Sequence, residues 1–336
     1  MFDVITFGSA TRDMFVISKD FQAIKSDDFV SGKGLCVSAG SKIFAEDIVF
    51  ASGGGSSNCA ATFTLQGLAT ACVTKVGDDP GGNAVIDDLK KLGVNTGFIL
   101  KDKKFKTAYS VILSPPHGER TILVYQGASH ELRKEEISWQ ELKKTEWFYI
   151  SGLSGASSEI FESIINFAHE NGIKIAVNPG EAQLKMGIDR LEPLLNKIDI
   201  FILNKEEATR LTCLPYNAEK EIFKRLDNWI RGIAVMSKGP EGVMVSDGRD
   251  IYSAGIPKSG ILDRTGAGDA FGSGFVAGLI QKSKHKKPDA SAIEYAIQLG
   301  TANATGTVQH LGAKNGLLKK GEWGPWKRVE VKSYRI

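Results

Sequence analysis

The residues Asp263-Arg264-Thr265-Gly266-Ala267-Gly268-Asp269-Ala270-Phe271-Gly272-Ser273-Gly274-Phe275 combine types that could do chemistry. Gly266 and Gly268 precede an apolar run at helical spacing (Ala270, Phe271, Phe275, Val276, Leu279), which reads as a tight loop opening a helix. A helix start presents unpaired amides and the positive end of its dipole, so the backbone of Gly266, Ala267 and Gly268 could hold an anion. Glycine also lets a phosphate approach without a Cβ in the way. Asp269 then falls beside that anion, a costly place for a carboxylate unless it takes a proton from a hydroxyl about to attack phosphorus. Residue types alone leave two plainer readings open: Asp as a helix cap and Gly as a turn. A dinucleotide fingerprint fits poorly, because Phe271 stands where its third glycine belongs.

Other stretches carry residues of the same kind. Asp13 follows the apolar run Phe2–Phe7, in or just after the loop at a strand's C-terminal end, where ligands of open α/β sheets gather. Taken alone it reads better as a solvated loop acid. Gly53-Gly54-Gly55-Ser56-Ser57-Asn58 opens a helix running to about Gly67, and three glycines imply either close backbone approach or a flexible joint. Asn204 and Glu207 share the first turn of a helix, which a capping box alone explains. Ser237-Lys238-Gly239-Pro240-Glu241-Gly242 closes another strand.

The stretch from Asp263 to Phe275 resembles the signature D-T-x-G-A-G-D-x-F-x-x-G-F of the ribokinase-like (PfkB) carbohydrate kinases, with Arg264 where Thr is common. Further segments follow in that family's order between residue 3 and about 315: G-G-x-x-x-N at Gly53, Gly54 and Asn58; V-G-x-D-x-x-G at 76–82; N-x-x-E at Asn204 and Glu207; [ST]-K-G-x-x-G at 237–242. The resemblance implies an ATP-dependent kinase acting on a sugar hydroxyl of the ribose or fructose kind. It makes Gly266, Ala267 and Gly268 the anion hole and Asp269 the catalytic base. It assigns the acceptor to Asp13, Gly53, Gly54 and Asn58. The nucleotide falls to Asn204, Ser237, Lys238, Gly239, Gly242, Thr265 and Asn303, with Thr301 competing for the base. Asn204 and Glu207 would position Mg²⁺, largely through water. Many relatives hold K⁺, and Asp263 matches one of its ligands, although the fixed charge of Arg264 could take the ion's place. A nucleoside kinase and a catalytically silent protein on the same fold are the alternatives.

The elements that must position these residues are also legible. Strands at 147–150, 173–177, 198–203 and 233–236 alternate with helices, one at 157–170, which argues for a doubly wound, mostly parallel sheet flanked by helices. A hairpin follows over Val243–Ser246 and 250–253, and Ser291 to Glu294 reads as a capping box for a last long helix. Segments 14–52 and 107–126 alternate polar and apolar residues between turns, so they read as one small antiparallel sheet placed as a lid. Residues 1–13, 53–106 and 127–336 form the large domain. Glu119-Arg120 in the lid hairpin reads as a solvated turn, with contact to a polar acceptor as its other use. Lids of the resembled family sometimes pair, which makes a homodimer the expected assembly. Residues 320–336, with Trp323 and Trp326, read as a packed terminal extension.

Composition closes off other classes. With 336 residues, 42% apolar and 24% charged, the chain can bury one large core. Lys and Arg exceed Asp and Glu by only three (42 against 39), which gives no general attraction to nucleic acid or membrane. The basic run at 282–287 reads as a solvated helix end before Pro288. Cys36, Cys59, Cys72 and Cys213 show no C-x-x-C spacing and read as reduced residues. His117, His130, His169, His285 and His310 form no H-x-x-x-H pair, so no zinc site is expected. No stretch reaches membrane-span length and no signal-type core precedes the first strand; the expected location is the cytoplasm.

Overall fold

Among the described residues, ten strands form one central sheet in the order Ile99–Asp102, Thr70–Gly77, Phe2–Phe7, Thr145–Ile150, Lys174–Val177, Ile200–Asn204, Ile233–Ser237, Val243–Ser246, Asp250–Ala254, Val331–Arg335. The first seven run parallel and the last three are added antiparallel. The computed structural model describes residues 1–29, 32–115, 120–283 and 286–335; Pro116-His117-Gly118, Glu119 and His285 lie outside them. Helices cover both faces of the sheet, which is why its strands are continuous apolar runs such as Ile200 to Leu203 and Phe148 to Ile150, not alternating ones. Each fully buried Phe or Ile contributes roughly 1.5–3 kcal/mol. No helix among the described residues is long and apolar enough to cross a membrane.

Two helices carry the site. Ala267–Ser283 is buried on all sides from Ala270 through Leu279 and lies against Ala290–Thr307. Gly274 and Gly278 make that approach possible. A methyl on either would come within 3.0 Å of the Gly300 Cα or 2.8 Å of the Ala296 Cα. The third partner, Gly55–Leu65, packs beside Ala267–Ser283 and buries Ser56 through Phe63.

A small sheet of four strands is ordered Asp47–Gly53, Thr11–Ile17, Ala108–Ser114, Thr121–Tyr125. Its outer pairs are antiparallel and its central pair, Thr11–Ile17 with Ala108–Ser114, is parallel. Lys33–Cys36 does not join it. That strand closes on Gln22–Lys25 as a separate two-stranded ribbon, a pairing near in sequence that needs only a short loop.

Three further expectations are corrected. The 157–170 helix divides into a 3₁₀ turn, Gly155–Ile160, and a helix, Phe161–Glu170. Asp289, not Ser291, caps Ala290–Thr307, its carboxylate accepting from the Ala292 amide at 2.8 Å. A charged acceptor at the positive helix end outcompetes a hydroxyl inside the first turn. The terminal extension does more than pack: Val331–Arg335 becomes an edge strand of the central sheet, and Trp323 stacks edge-on against Tyr295 at 5.2 Å.

Candidate active site

Gly266 adopts φ 75° and turns the chain into the Ala267–Ser283 helix. A methyl there would lie 2.3 Å from the Ala313 Cβ, whereas one on Gly268 would meet nothing. The helix start is therefore packed on one side and open on the other. Among the described residues nothing accepts from the amides of Gly266, Gly268 and Asp269, while the Ala267 amide is spent on the Arg264 carbonyl at 3.3 Å. Unsatisfied amides at an open helix start are an anion site.

Asp269 lies in the first turn of that helix, yet no amide of the helix donates to its carboxylate. Asn58 Nδ2 does so instead, on Oδ2 at 2.8 Å. The capping reading of Asp269 therefore falls. Burial raises its pKa, against the Asn58 bond and the charge of Lys314, which lower it. Asn58 comes from Gly55–Leu65 and keeps a buried carbonyl, Oδ1, with no partner among the described residues.

The glycine turn ahead of that helix is shaped by close contacts. Gly54 has φ 92°, and a methyl on it would meet the Ser9 carbonyl oxygen at 2.6 Å. A methyl on Gly53 would lie 2.1 Å from Asp13 Oδ2. Asp13 is not in a loop. It is the third residue of Thr11–Ile17, paired with Ala51 and Ser110, because the chain enters the small sheet almost directly after Phe2–Phe7. Its buried carboxylate accepts from Thr11 Oγ1 at 2.9 Å, and burial raises its pKa against the bonds from Thr11 and Ser110.

Lys314 was not foreseen. Its ammonium donates to the Ser52 carbonyl at 2.6 Å, to Ser52 Oγ at 3.2 Å and to Ser57 Oγ at 2.9 Å, bracketing the glycine turn. Burial pushes its pKa down to about 8, against the attraction of Asp13, Cys72, Asp88 and Asp269. The sequence offered only a lysine among glycines after the last helix, and no local rule separates that from a solvated one.

A cavity of about 450 Å³ adjoins the helix start, walled by Ser237, Gly239, Gly242, Gly268, Phe271 and Thr301 among others. Its volume lies within the range of small-molecule sites. A larger one of about 620 Å³ lies away from these residues, beside the strand beginnings at Asp3, Trp147 and Lys174. Thr301 faces the first cavity and Asn303 does not. Asn303 is wholly buried, donating to the Ala270 carbonyl at 2.8 Å and Thr62 Oγ1 at 3.3 Å and accepting from the Leu318 amide at 2.9 Å. Lys238 turns to Glu219 at 3.1 Å and Glu241 at 3.9 Å and does not line the cavity. Thr265 spends its amide and hydroxyl on Asp263, at 3.0 and 2.8 Å.

Asn204 and Glu207 form the reciprocal capping box, each bond 2.8 Å. This leaves the Asn204 side-chain amide and Glu207 Oε1 without a hydrogen bond in the box. The described residues contain no group of three or more His, Cys, Asp or Glu able to hold a metal. The pair therefore fits a divalent ion through water only. Asp263 fits K⁺ poorly, since its buried carboxylate already accepts from the Arg120 guanidinium. Arg120 is thus no solvated turn residue, and Arg264, the charge expected beside Asp263, lines the cavity.

A doubly wound sheet, a small second sheet and a glycine-opened helix flanked by a carboxylate and a cavity are the features of a ribokinase-type sugar kinase. The fold is shared with Arabidopsis thaliana ribokinase complexed with ribose and ATP (TM-score 0.74, 20% identity, covering 95% of this chain and 96% of that one). It is shared equally with a nucleoside kinase of Methanocaldococcus jannaschii (TM-score 0.73, 19% identity, 95% and 96%). In sequence the chain is similar to a ribokinase of Lactococcus lactis subsp. lactis, 25% identical over 316 residues, 92% of this chain and 97% of that protein. The profile of the pfkB family carbohydrate kinases matches residues 23–320, and the chain belongs to that family.

Proposed function

We propose that the protein transfers the terminal phosphoryl group of ATP to a hydroxyl of a small sugar of the ribose or fructose kind. Asp269 carries this reading: a carboxylate beside unsatisfied amides, held by a side chain from another helix and not capping its own. With Oδ2 fixed by Asn58, Oδ1 is left to take the hydroxyl proton, and burial makes the group a stronger base than an exposed Asp. The Gly266 and Gly268 amides stabilise charge on the transferring group without reorganising at the moment of reaction. Asp13 accepts a hydrogen bond from another hydroxyl of the acceptor, Asn58 orients the base it holds, and Lys314 holds the turn between them. When bound, Mg²⁺-ATP supplies the phosphoryl group and neutralises its charge. Asn204 and Glu207 order the water around the ion, while Thr301 and Phe271 wall the nucleotide's cavity.

We further read the small sheet as the contact face for a second copy of the chain. Phe50, Leu123 and Tyr125 are exposed on one side of it, and Thr121–Tyr125 leaves an edge unpaired among the described residues.

The test is a screen of sugars, sugar phosphates and nucleosides for acceptor-stimulated ADP release with Mg²⁺-ATP. Stimulation by a pentose or ketohexose supports the reading. Stimulation by nucleosides alone moves the protein to a nucleoside kinase, and none at all, in an intact fold, makes it a silent relative.

A further inference from the structure

Asp263 stands in the turn just before the amide cradle, with its side chain 2% exposed. A carboxylate so buried is tolerated only when paired and hydrogen-bonded. The Thr265 amide and hydroxyl donate to Oδ1 at 3.0 and 2.8 Å, and the Gly312 amide to Oδ2 at 3.4 Å. These bonds shape the turn and tie it to the loop after the last helix, but none brings a charge. The charge comes from Arg120, at the head of the Thr121–Tyr125 strand, whose Nη1 donates to Oδ1. Burial and repulsion from Arg264 both work against a cation on Arg120. A guanidinium does not shed its proton to escape such a site, so contact with Asp263 is what offsets these costs.

We propose that Arg120 is a positioning residue that serves as a built-in cation for the turn before the cradle, so that this protein requires no K⁺ there. Arg120 acts through Asp263, which through Thr265 fixes the backbone leading into Gly266. A free ion would have to displace a cation already tethered to the same chain, at an effective concentration in the millimolar range or above. The pair also joins the small sheet to the loop that opens the cradle helix. The inference rests on the kinase reading only for what the turn is positioned to do; the pair itself stands without it.

The test is thermal melting of the full-length protein, without nucleotide or acceptor, in KCl, NaCl and choline chloride at equal ionic strength. The wild type melts at one temperature in all three. Arg120→Gln melts several degrees lower in choline and regains most of that in KCl, because the vacated carboxylate accepts an ion. Arg120→Lys keeps a charge and stays indifferent to the salt. Arg120→Gln combined with Asp263→Asn loses the ion response. A wild type stabilised several degrees by KCl over choline overturns the proposal, even if Arg120→Gln does not fold. So does an Arg120→Gln variant that ignores K⁺ and adds independently to Asp263→Asn. An ion-indifferent protein without kinase activity would refute the kinase reading and leave this one intact; a K⁺-stabilised kinase would do the reverse.

Discussion

Asp269 and Lys314 divide the electrostatics of the site between them, and each can be tested singly. Asp269→Asn keeps an acceptor for Asn58 and removes a desolvated charge, so melting stays near that of the wild type while kcat falls by about 10²–10⁴. Near-normal turnover in that variant would remove Asp269 from the mechanism. The pH dependence has a definite sign. With Asp269 as the proposed base, catalysis needs the unprotonated carboxylate, whose pKa is raised, so kcat/KM should climb with pH through values above the ordinary Asp range. It declines again as Lys314 loses its proton at about 8. Lys314→Met removes an influence that lowers the Asp269 pKa, so the acid limb moves to higher pH and the limb near 8 disappears. A profile unchanged in both limbs would show that Lys314 does not act on the base. Asp269, Asn58 and the glycines were legible as residue types in a spaced pattern. Lys314 and Arg120 were not, because their partners lie 257 and 143 positions away and a lone basic residue carries no local sign of burial.

At the scale of elements, Gly266 and Gly268 separate architecture from chemistry. Gly266→Ala forces a side chain into φ 75° against Ala313 and costs about 1–3 kcal/mol, read by urea denaturation. Gly268→Ala meets no obstacle and, within a helix, leaves stability unchanged or raises it by about 0.4–1 kcal/mol. Its methyl nonetheless projects into the space an anion would use, and kcat drops by about 10²–10³, as when one anion-hole donor is lost. Equal activity in Gly268→Ala and wild type would place the phosphoryl group elsewhere. Parallel strands and helices were readable because buried runs and helical spacing are local signals. The placement of Asp13 within a strand, the parallel pair Thr11–Ile17 with Ala108–Ser114, and the separate ribbon at 22–36 were not. The first two depend on a pairing across about a hundred residues and the ribbon on a local pairing that competes with it, and period-two patterning fits more than one answer.

For the whole molecule, the exposed face of the small sheet leads to an assembly prediction. Sedimentation should find a dimer, and Leu123→Lys, placing a charge in that face, should weaken association by roughly 2 kcal/mol, about 30-fold in Kd. A monomer at all concentrations would leave those side chains to another role. At the other end of the molecule, Val331–Arg335 follows the family-matched segment in sequence and occupies the outermost position of the ten-stranded sheet. It presents Lys332, Ser333 and Arg335 to solvent. Removing it would bare the backbone of Asp250–Ala254, a strand with Ile251 and Tyr252 buried and its edge donors and acceptors then open, and invite stacking of one molecule on the next. A version of the chain shortened to the matched segment should accordingly precipitate during purification even where its chemistry is intact.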